Sequence, residues 1–142
     1  MFAESGDFTI LLARAEEIAR PMVTQDGMCP PFAVLIHKDD SIHTLTVDTK
    51  KALRFGDYLA ALLNTLQSEP RRDVLRAVAL CSTGYAMNPA TGEQTRAVIV
   101  QLEDPSGSLN CVLIPYSRDL FGAVRFHEPI IQPSSAQIFE RH

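Results

Sequence analysis

Apolar residues recur at helical spacing in two segments of the chain. Asp7 is a residue type that caps helices, and an apolar stripe follows it up to Met22. We expect Pro21 to mark the end of this first helix, because an interior proline loses a backbone hydrogen bond. A second helix is predicted over residues 55–67. Its stripe consists of Phe55, Leu59, Leu62, Leu63 and Leu66, and Pro70 closes the segment.

Between and after these helices the pattern is typical of β-strands. Residues 32–48 form two β-rich runs around a polar turn at residues 38–41, which predicts a hairpin. With an even loop length, Ile36 would face His43 across the hairpin. Further strands are predicted over residues 75–86, 95–103, 109–116 and, with less support from the pattern, 121–127. Ile138 and Phe139 are expected to dock a terminal strand at a sheet edge.

The predicted order of elements is α-β-β-α-β-β-β, with short connections rich in turn-forming residues. Such connections impose antiparallel neighbours. We therefore expect an α+β fold in a single domain spanning residues 1–142, with a mostly antiparallel sheet of about five strands and two helices packed on one face.

The two strands at 95–103 and 109–116 are apolar on both sides. If residues 104–107 form the loop, one face carries Val98 and Val100 together with Cys111. The reverse face is also apolar, and its residues are a candidate interface: Ala97, Ile99, Val112 and Ile114. Either a homodimer buries this face or the C-terminal segment folds over it, and we prefer the homodimer.

Composition and charge narrow the classes of function. The chain is 46% hydrophobic and 21% charged, which is typical of a folded globular protein. A formal charge of −4 argues against nucleic acid and anionic membranes as partners. No apolar stretch approaches the length of a membrane span, and the first eight residues do not resemble a secretion signal. Three widely spaced cysteines favour reduced thiols and a cytoplasmic location.

Histidines and cysteines are the first candidates for chemistry. The predicted hairpin register puts His37 and His43 on opposite faces, which argues against a metal site. A three-residue loop would change that assignment. Cys81 and Cys111 lie within predicted strands, where a thiol behaves as a small apolar group. Cys29 lies in a loop before a proline. A Cys-Pro pair can hold haem, but an ordinary structural cysteine is the favoured interpretation, so no cofactor is predicted.

The segment CSTGY at 81–85 lacks the leading glycine of a serine-hydrolase elbow. It indicates a strand end, with Gly84 at a bulge or a close contact. The acidic pairs at 39–40 and 103–104 are interpreted as exposed turn residues. The basic residues that flank the second helix are interpreted as solvated helix ends rather than as one anion site: Lys50, Lys51, Arg54, Arg71, Arg72 and Arg76.

These observations leave three hypotheses of function. The chain as a whole resembles small bacterial proteins, but no motif is specific enough to name a family. The first hypothesis is a non-catalytic interaction or regulatory module that uses an apolar sheet face for self-association or for another protein. The second is a small-molecule-binding protein with a pocket between sheet and helices. The third is an enzyme that uses Cys29, His43, Asp48 or Tyr85, without an assigned catalytic residue.

Overall fold

A computed structural model describes residues 6–46, 55–68, 74–87, 92–106 and 109–132 of the chain. These residues form two helices and seven strands in one sheet. In chain order the elements are α1 (Gly6–Asp26), β1 (Phe32–His37), β2 (Ile42–Thr46), α2 (Phe55–Gln67), β3 (Leu75–Met87), β4 (Gln94–Glu103), β5 (Leu109–Arg118), β6 (Val124–Phe126) and β7 (Ile130–Gln132). The predicted α+β class and the order α-β-β-α-β-β-β are confirmed, and the strand count is larger than expected.

The strands pair in the order β2-β1-β3-β4-β5-β6, and every pair is antiparallel. The two short strands β6 and β7 both pair with β5, at its end and at its beginning respectively. β3 and β4 are therefore central, and they carry most of the site described below.

Helix α1 continues through Pro21 and ends at Asp26, so the predicted stop at the proline is wrong. Pro21 lies on the exposed side of the helix, whereas Ala19 and Val23 on the other side are fully buried. Packing of this buried side against the sheet therefore stabilises the helix at Pro21, where the backbone lacks one hydrogen bond. Gly27 ends the helix with a φ of +82° and donates its N–H to the Val23 carbonyl at 2.9 Å.

The helices pack on opposite faces of the sheet, which corrects the expectation that both share one face. Alternate residues of a strand point to opposite sides. Val34 and Ile36 of β1 pack with α1, whereas Leu35 packs with Leu62 and Leu66 of α2. Because β1 and the first half of β3 are apolar on both sides, each side requires a helix to cover it.

The first hairpin has a different register from the predicted one. Ile36 pairs with Ile42 and Leu35 with His43, so the connection has an odd number of residues. Asp40 adopts a φ of 73° in the turn and donates its N–H to the His37 carbonyl at 3.0 Å. A shift of one residue reverses every face assignment in a strand, and it brings His37 and His43 to the same side.

The β4–β5 register is also shifted by one residue from the prediction. Val98 pairs with Ile114 and Ile99 with Leu113. Val112 and Ile114 consequently lie on the α1 face, buried in the same cluster as the helix. Ala97 and Ile99 lie on the reverse face, in a cluster with Ala86, Cys111 and Leu113. The four candidate interface residues therefore do not share a face.

The chain after β5 departs from the single strand predicted over residues 121–127. Only Val124–Phe126 forms a strand there, and residues 120–122 form a turn. β7 lies between Pro129 and Pro133 and was not predicted, because prolines at both ends suggested an interruption. An edge strand three residues long tolerates them. Ile138 and Phe139 lie outside the described residues.

In the part of the chain that the structure describes, neither α1 nor α2 is long and apolar enough to cross a bilayer.

Candidate functional site

A cleft lies on the α1 face of the sheet, beyond the C-terminal end of α1. Here Tyr85 of β3 and Arg96 of β4 are exposed, whereas Tyr116 of β5 is buried against the end of the helix. The cleft has a larger compartment of about 700 Å³ and a smaller one of about 230 Å³. Both compartments are lined by Tyr85, Arg96 and Tyr116, and we call the whole the Arg96 cleft.

The end of α1 is tied to the sheet by two donors at one side of this cleft. The Tyr116 hydroxyl donates to the Gly27 carbonyl at 2.8 Å, and Arg96 Nη1 donates to the same oxygen at 3.3 Å. The last turn of α1 contains no basic residue. Arg96 therefore supplies the positive charge that favours the negative end of the helix dipole. Burial raises the pKa of Tyr116, which keeps its hydroxyl protonated as a donor.

The two compartments differ in chemistry. The smaller one is walled by Met28 and the rings of Tyr85 and Tyr116, with the Arg96 guanidinium 5.9 Å from the centre of the Tyr85 ring. The larger one adds mostly polar groups: Asp26, Gly27, Gln94, Thr95, Ser117 and Arg118. An apolar compartment therefore opens into a polar one that contains two guanidinium groups and one carboxylate.

Large apolar side chains are exposed around this end of the molecule. Met28 and Tyr85 line the cleft, and Met87 lies two residues further along β3. Leu120 and Phe121, at the β5–β6 hairpin tip, are 100% and 95% exposed. The tip has a defined conformation, because the Asp119 carboxylate accepts the N–H groups of Phe121 and Ala123 at 2.8 and 3.0 Å. Arg118 Nη1 also donates to the Gly122 carbonyl at 2.8 Å.

Cys29 and Cys81 belong to the same buried cluster, a placement that their separation in sequence did not reveal. Both residues are fully buried in the α1 core. The neighbouring Cys81 thiol lowers the pKa of Cys29. The influence of Cys29, together with burial and the nearby Glu16 carboxylate, raises the pKa of Cys81.

The third cysteine, Cys111, lies on the opposite face of the sheet in the cluster with Leu113. Burial raises its pKa. It behaves as the buried apolar residue that its strand position predicted.

His37 and His43 lie on the α2 face with their ring centres 4.7 Å apart. The expectation that they lie on opposite faces was wrong, because the hairpin loop is odd in length. Within the described ranges no group of three histidine, cysteine, aspartate or glutamate side chains could hold a metal ion. The buried His37 Nε2 has no hydrogen-bond partner there.

The prediction that the acidic pairs are exposed turn residues is confirmed in part. Asp39 and Asp104 accept hydrogen bonds from the backbone and hydroxyl of the serine two residues ahead, which confirms their role in turns. Glu103 is fully buried rather than exposed, and Gln101 Nε2 donates to its carboxylate at 3.3 Å. The end of β4 faces inward at this position, so the expectation of an exposed pair was wrong for Glu103.

Arg76 is the described member of the predicted basic group. It pairs with Asp7 at 3.1 Å and with Asp40, which joins the start of α1 to the first hairpin turn. The other five residues of that group lie outside the described residues: Lys50, Lys51, Arg54, Arg71 and Arg72.

Of the four residues named for an enzyme, Tyr85 lines the Arg96 cleft, and Cys29 is buried next to Met28, which also lines it. His43 is on the opposite face near the other end of the sheet, and Asp48 lies outside the described residues. Gly84 makes the close contact predicted for it, because a Cβ there would approach Ile99 Cδ1 at 2.8 Å. It stands within β3, however, and not at a strand end.

Arg96, Tyr116 and Arg118 were not predicted as site residues. One feature of the sequence could have indicated them. The residues of β3, β4 and β5 on the α1 face change along each strand from apolar to polar or aromatic. That change has meaning only when the strands are aligned in their observed registers.

Comparisons with known proteins do not indicate a function for this cleft. No family model matches the chain, and neither a curated protein nor a solved structure matches it significantly. The inference of function therefore rests on the geometry of the cleft.

Proposed function

We propose that this protein binds a small organic anion with an aromatic or apolar body in the Arg96 cleft. The observation that carries the proposal is the convergence of Arg96 and Arg118 with Tyr85 and Tyr116 at one cleft. The larger compartment, at about 700 Å³, falls in the size range of small-molecule sites, and apolar walls with a few placed polar groups are typical of them.

The charges at the cleft favour an anion. Two guanidinium groups stand against the single carboxylate of Asp26, in a chain whose formal net charge is −4. Each guanidinium donates one hydrogen bond to a backbone carbonyl, which fixes its position. A guanidinium has five N–H donors in a planar fork, so donor capacity for a carboxylate, sulfonate or phosphate is available.

The aromatic rings favour a ligand with an apolar body. Tyr85 is exposed while it stacks with Arg96, and Met28 beside it is also exposed. Burying these side chains against a flat ligand removes apolar surface from water at about 25 cal/mol per Å². This is the second of the hypotheses drawn from the sequence, with the pocket located at the end of α1.

Fluorescence titration with 1-anilinonaphthalene-8-sulfonate tests the proposal, because this probe combines aromatic rings with an anionic group. We expect saturable binding to the native protein. In the double variant Arg96→Gln/Arg118→Gln the affinity should fall by about tenfold or more, since hydrogen bonds to charged groups contribute about 1.5–3 kcal/mol each. The matched control is Arg125→Gln, an exposed arginine on β6 across from Ser117 that does not line the cleft.

The neutral probe N-phenyl-1-naphthylamine separates charge recognition from apolar binding. Its affinity should change little in the double variant. Equal affinity of the anionic probe for wild type and double variant, with an unchanged circular dichroism spectrum, would show that the cleft does not recognise anions. A panel of aromatic and aliphatic acids that displace the bound probe then defines the ligand class.

A second candidate function is self-association, the first hypothesis drawn from the sequence. Its support is the hairpin tip, where Leu120 and Phe121 are held by hydrogen bonds in a defined but fully exposed conformation. We infer that the tip contacts a second copy of the chain, since symmetric homo-oligomers are the commonest assemblies. A non-catalytic role and a cytoplasmic location stay predictions of the sequence.

A further inference from the structure

We propose that the ligand of the Arg96 cleft is an aromatic α-amino acid, an inference that rests on the function proposed above. Such a molecule carries a carboxylate and an ammonium group on one carbon, and its ring is one methylene away. The cleft has a complementary group for each of these three parts. The guanidinium groups of Arg96 and Arg118 bind the carboxylate, the Asp26 carboxylate binds the ammonium group, and the smaller compartment holds the ring.

Three charged groups come together around Gly27, the residue that follows α1. The Gly27 carbonyl accepts the hydrogen bond from Arg96 Nη1 at 3.3 Å. A Cβ built on Gly27 would lie 3.8 Å from Arg118 Nη2, so the second guanidinium is close to the same residue. Asp26 precedes Gly27 in the chain and lines the same compartment as both arginines. Charges of both signs are therefore within reach of one small ligand.

The Asp26 carboxylate is free to bind a cationic group. Asp26 is exposed, and no described residue forms an ion pair with it. It also lies at the C-terminal end of α1, where the helix dipole disfavours a negative charge. A carboxylate at this position does not stabilise the helix, and departures from such local rules are expected at functional sites. The position of Asp26 therefore favours a role in binding.

The smaller compartment has room for one aromatic ring. Its volume is about 230 Å³, whereas an apolar cavity of about 150 Å³ holds benzene. Met28 and the rings of Tyr85 and Tyr116 form its walls. Arg96 lines both compartments, and its guanidinium is 5.9 Å from the centre of the Tyr85 ring. A ligand ring in this compartment therefore places a carboxylate on the neighbouring carbons beside Arg96.

Calorimetric titration with three related compounds tests the proposal. We expect L-phenylalanine to bind the native protein saturably. 3-Phenylpropionate lacks only the ammonium group and should bind about tenfold more weakly, because a hydrogen bond between charged groups is lost. L-Alanine lacks only the ring and should also bind about tenfold more weakly, because less apolar surface is buried.

The variant Asp26→Asn tests the partner of the ammonium group. Its affinity for L-phenylalanine should fall by about tenfold, whereas its affinity for 3-phenylpropionate should stay the same or rise, because a like charge is removed. A merely structural role of Asp26 would weaken the binding of both compounds alike. Glu17→Gln is the matched control and should bind as the wild type does, because Glu17 is an exposed carboxylate of α1 that does not line the cleft.

Two results would overturn the amino-acid proposal: equal affinity of the wild type for 3-phenylpropionate and L-phenylalanine, or an unchanged affinity of Asp26→Asn for L-phenylalanine. In both cases the anion site itself stands if Arg96→Gln/Arg118→Gln weakens the binding of 3-phenylpropionate. If the wild type binds neither 3-phenylpropionate nor the anionic naphthalene probe, the proposed function fails as well. The failure of the amino-acid proposal is therefore distinguishable from the failure of anion binding.

Discussion

Gly84 stands in the middle of β3 beneath the side chain of Ile99, on the face opposite α1. Its sequence context, a Ser-Thr-Gly-Tyr run, indicated a strand end. What favours glycine is a neighbour on β4, because Ile99 lies next to it only in the observed pairing of the two strands. The roles of Arg96 and Tyr116 also depend on the tertiary structure, because both side chains donate hydrogen bonds to one carbonyl at the end of α1.

The substitution Gly84→Ala tests this contact. A Cβ would lie 2.8 Å from Ile99 Cδ1, so the end of this flexible side chain must move aside. We expect the free energy of unfolding to fall by about 0.5–1.5 kcal/mol, the cost of a side chain held off its preferred rotamer. Urea denaturation measures the change, with Gly6→Ala as a control, since a Cβ at Gly6 meets nothing within 4 Å.

Ile99→Val provides the complementary variant, because valine lacks the Cδ1 atom that clashes. In the Ile99→Val background, Gly84→Ala should lower the free energy of unfolding by less than it does in the wild type. The effects of the two substitutions are then coupled. If both backgrounds show the same loss, the destabilisation has another origin than this contact.

The two helices differ in length and in the part of the sheet that they pack against. α1 has 21 residues, a length of about 31 Å. It packs against β1, β3 and β4, with five of its side chains buried. α2 has 13 residues, and its described side chains pack in a separate cluster with β1 and the start of β3. The periodicity that predicted both helices does not reveal this difference.

The two helices should differ in the rate at which their amide hydrogens exchange with solvent. Because α2 rests on a smaller cluster near the edge of the sheet, we expect its amides to exchange through a partial opening that leaves α1 protected. Mass spectrometry of peptides from both helices measures the rates, with peptides from β3 and β4 as the protected reference. Equal protection in α1 and α2 would mean that the molecule opens as a single unit.

At the scale of the molecule, the four most exposed large apolar side chains of the described residues lie toward one end of the sheet. Tyr85 and Met87 lie at the end of β3 beside the Arg96 cleft, and Leu120 and Phe121 form the hairpin tip after β5. The opposite end is tied by Arg76 to Asp7 and Asp40. Both proposed functions use the end that carries the Arg96 cleft.

Self-association through the hairpin tip is tested by Leu120→Ser/Phe121→Ser. We expect the wild-type protein to form a concentration-dependent dimer in native mass spectrometry and light scattering, and the double variant to remain a monomer. Removing two exposed apolar side chains should leave the monomer's stability within about 0.5 kcal/mol of wild type. Ile10→Ser, at an exposed position on α1, serves as the control and should dimerise normally.

A wild-type protein that stays monomeric at all concentrations would contradict self-association. So would a double variant that dimerises with wild-type affinity, because the contact would then lie elsewhere. In either case the ligand proposal is unaffected, since the tip residues do not line the Arg96 cleft.

The hydrophobic pattern of the chain was sufficient to locate both helices and the strands β1 to β5. α2 spans the predicted residues 55–67, and β3, β4 and β5 begin and end within two residues of their predicted limits. These features depend on local spacing, which the sequence contains directly. Element order and turn chemistry were sufficient for the antiparallel α+β class as well.

Only the tertiary structure decided which residues share a face. In both predicted hairpins a register difference of one residue reversed the assignment, which separated Ile99 from Val112 and brought His37 to His43. The burial of Cys29 and Cys81 in one cluster, and the hydrogen bond from Arg96 to the end of α1, depend on contacts between distant segments. Local periodicity contains no information about such contacts, because loop geometry and packing set them when the chain folds.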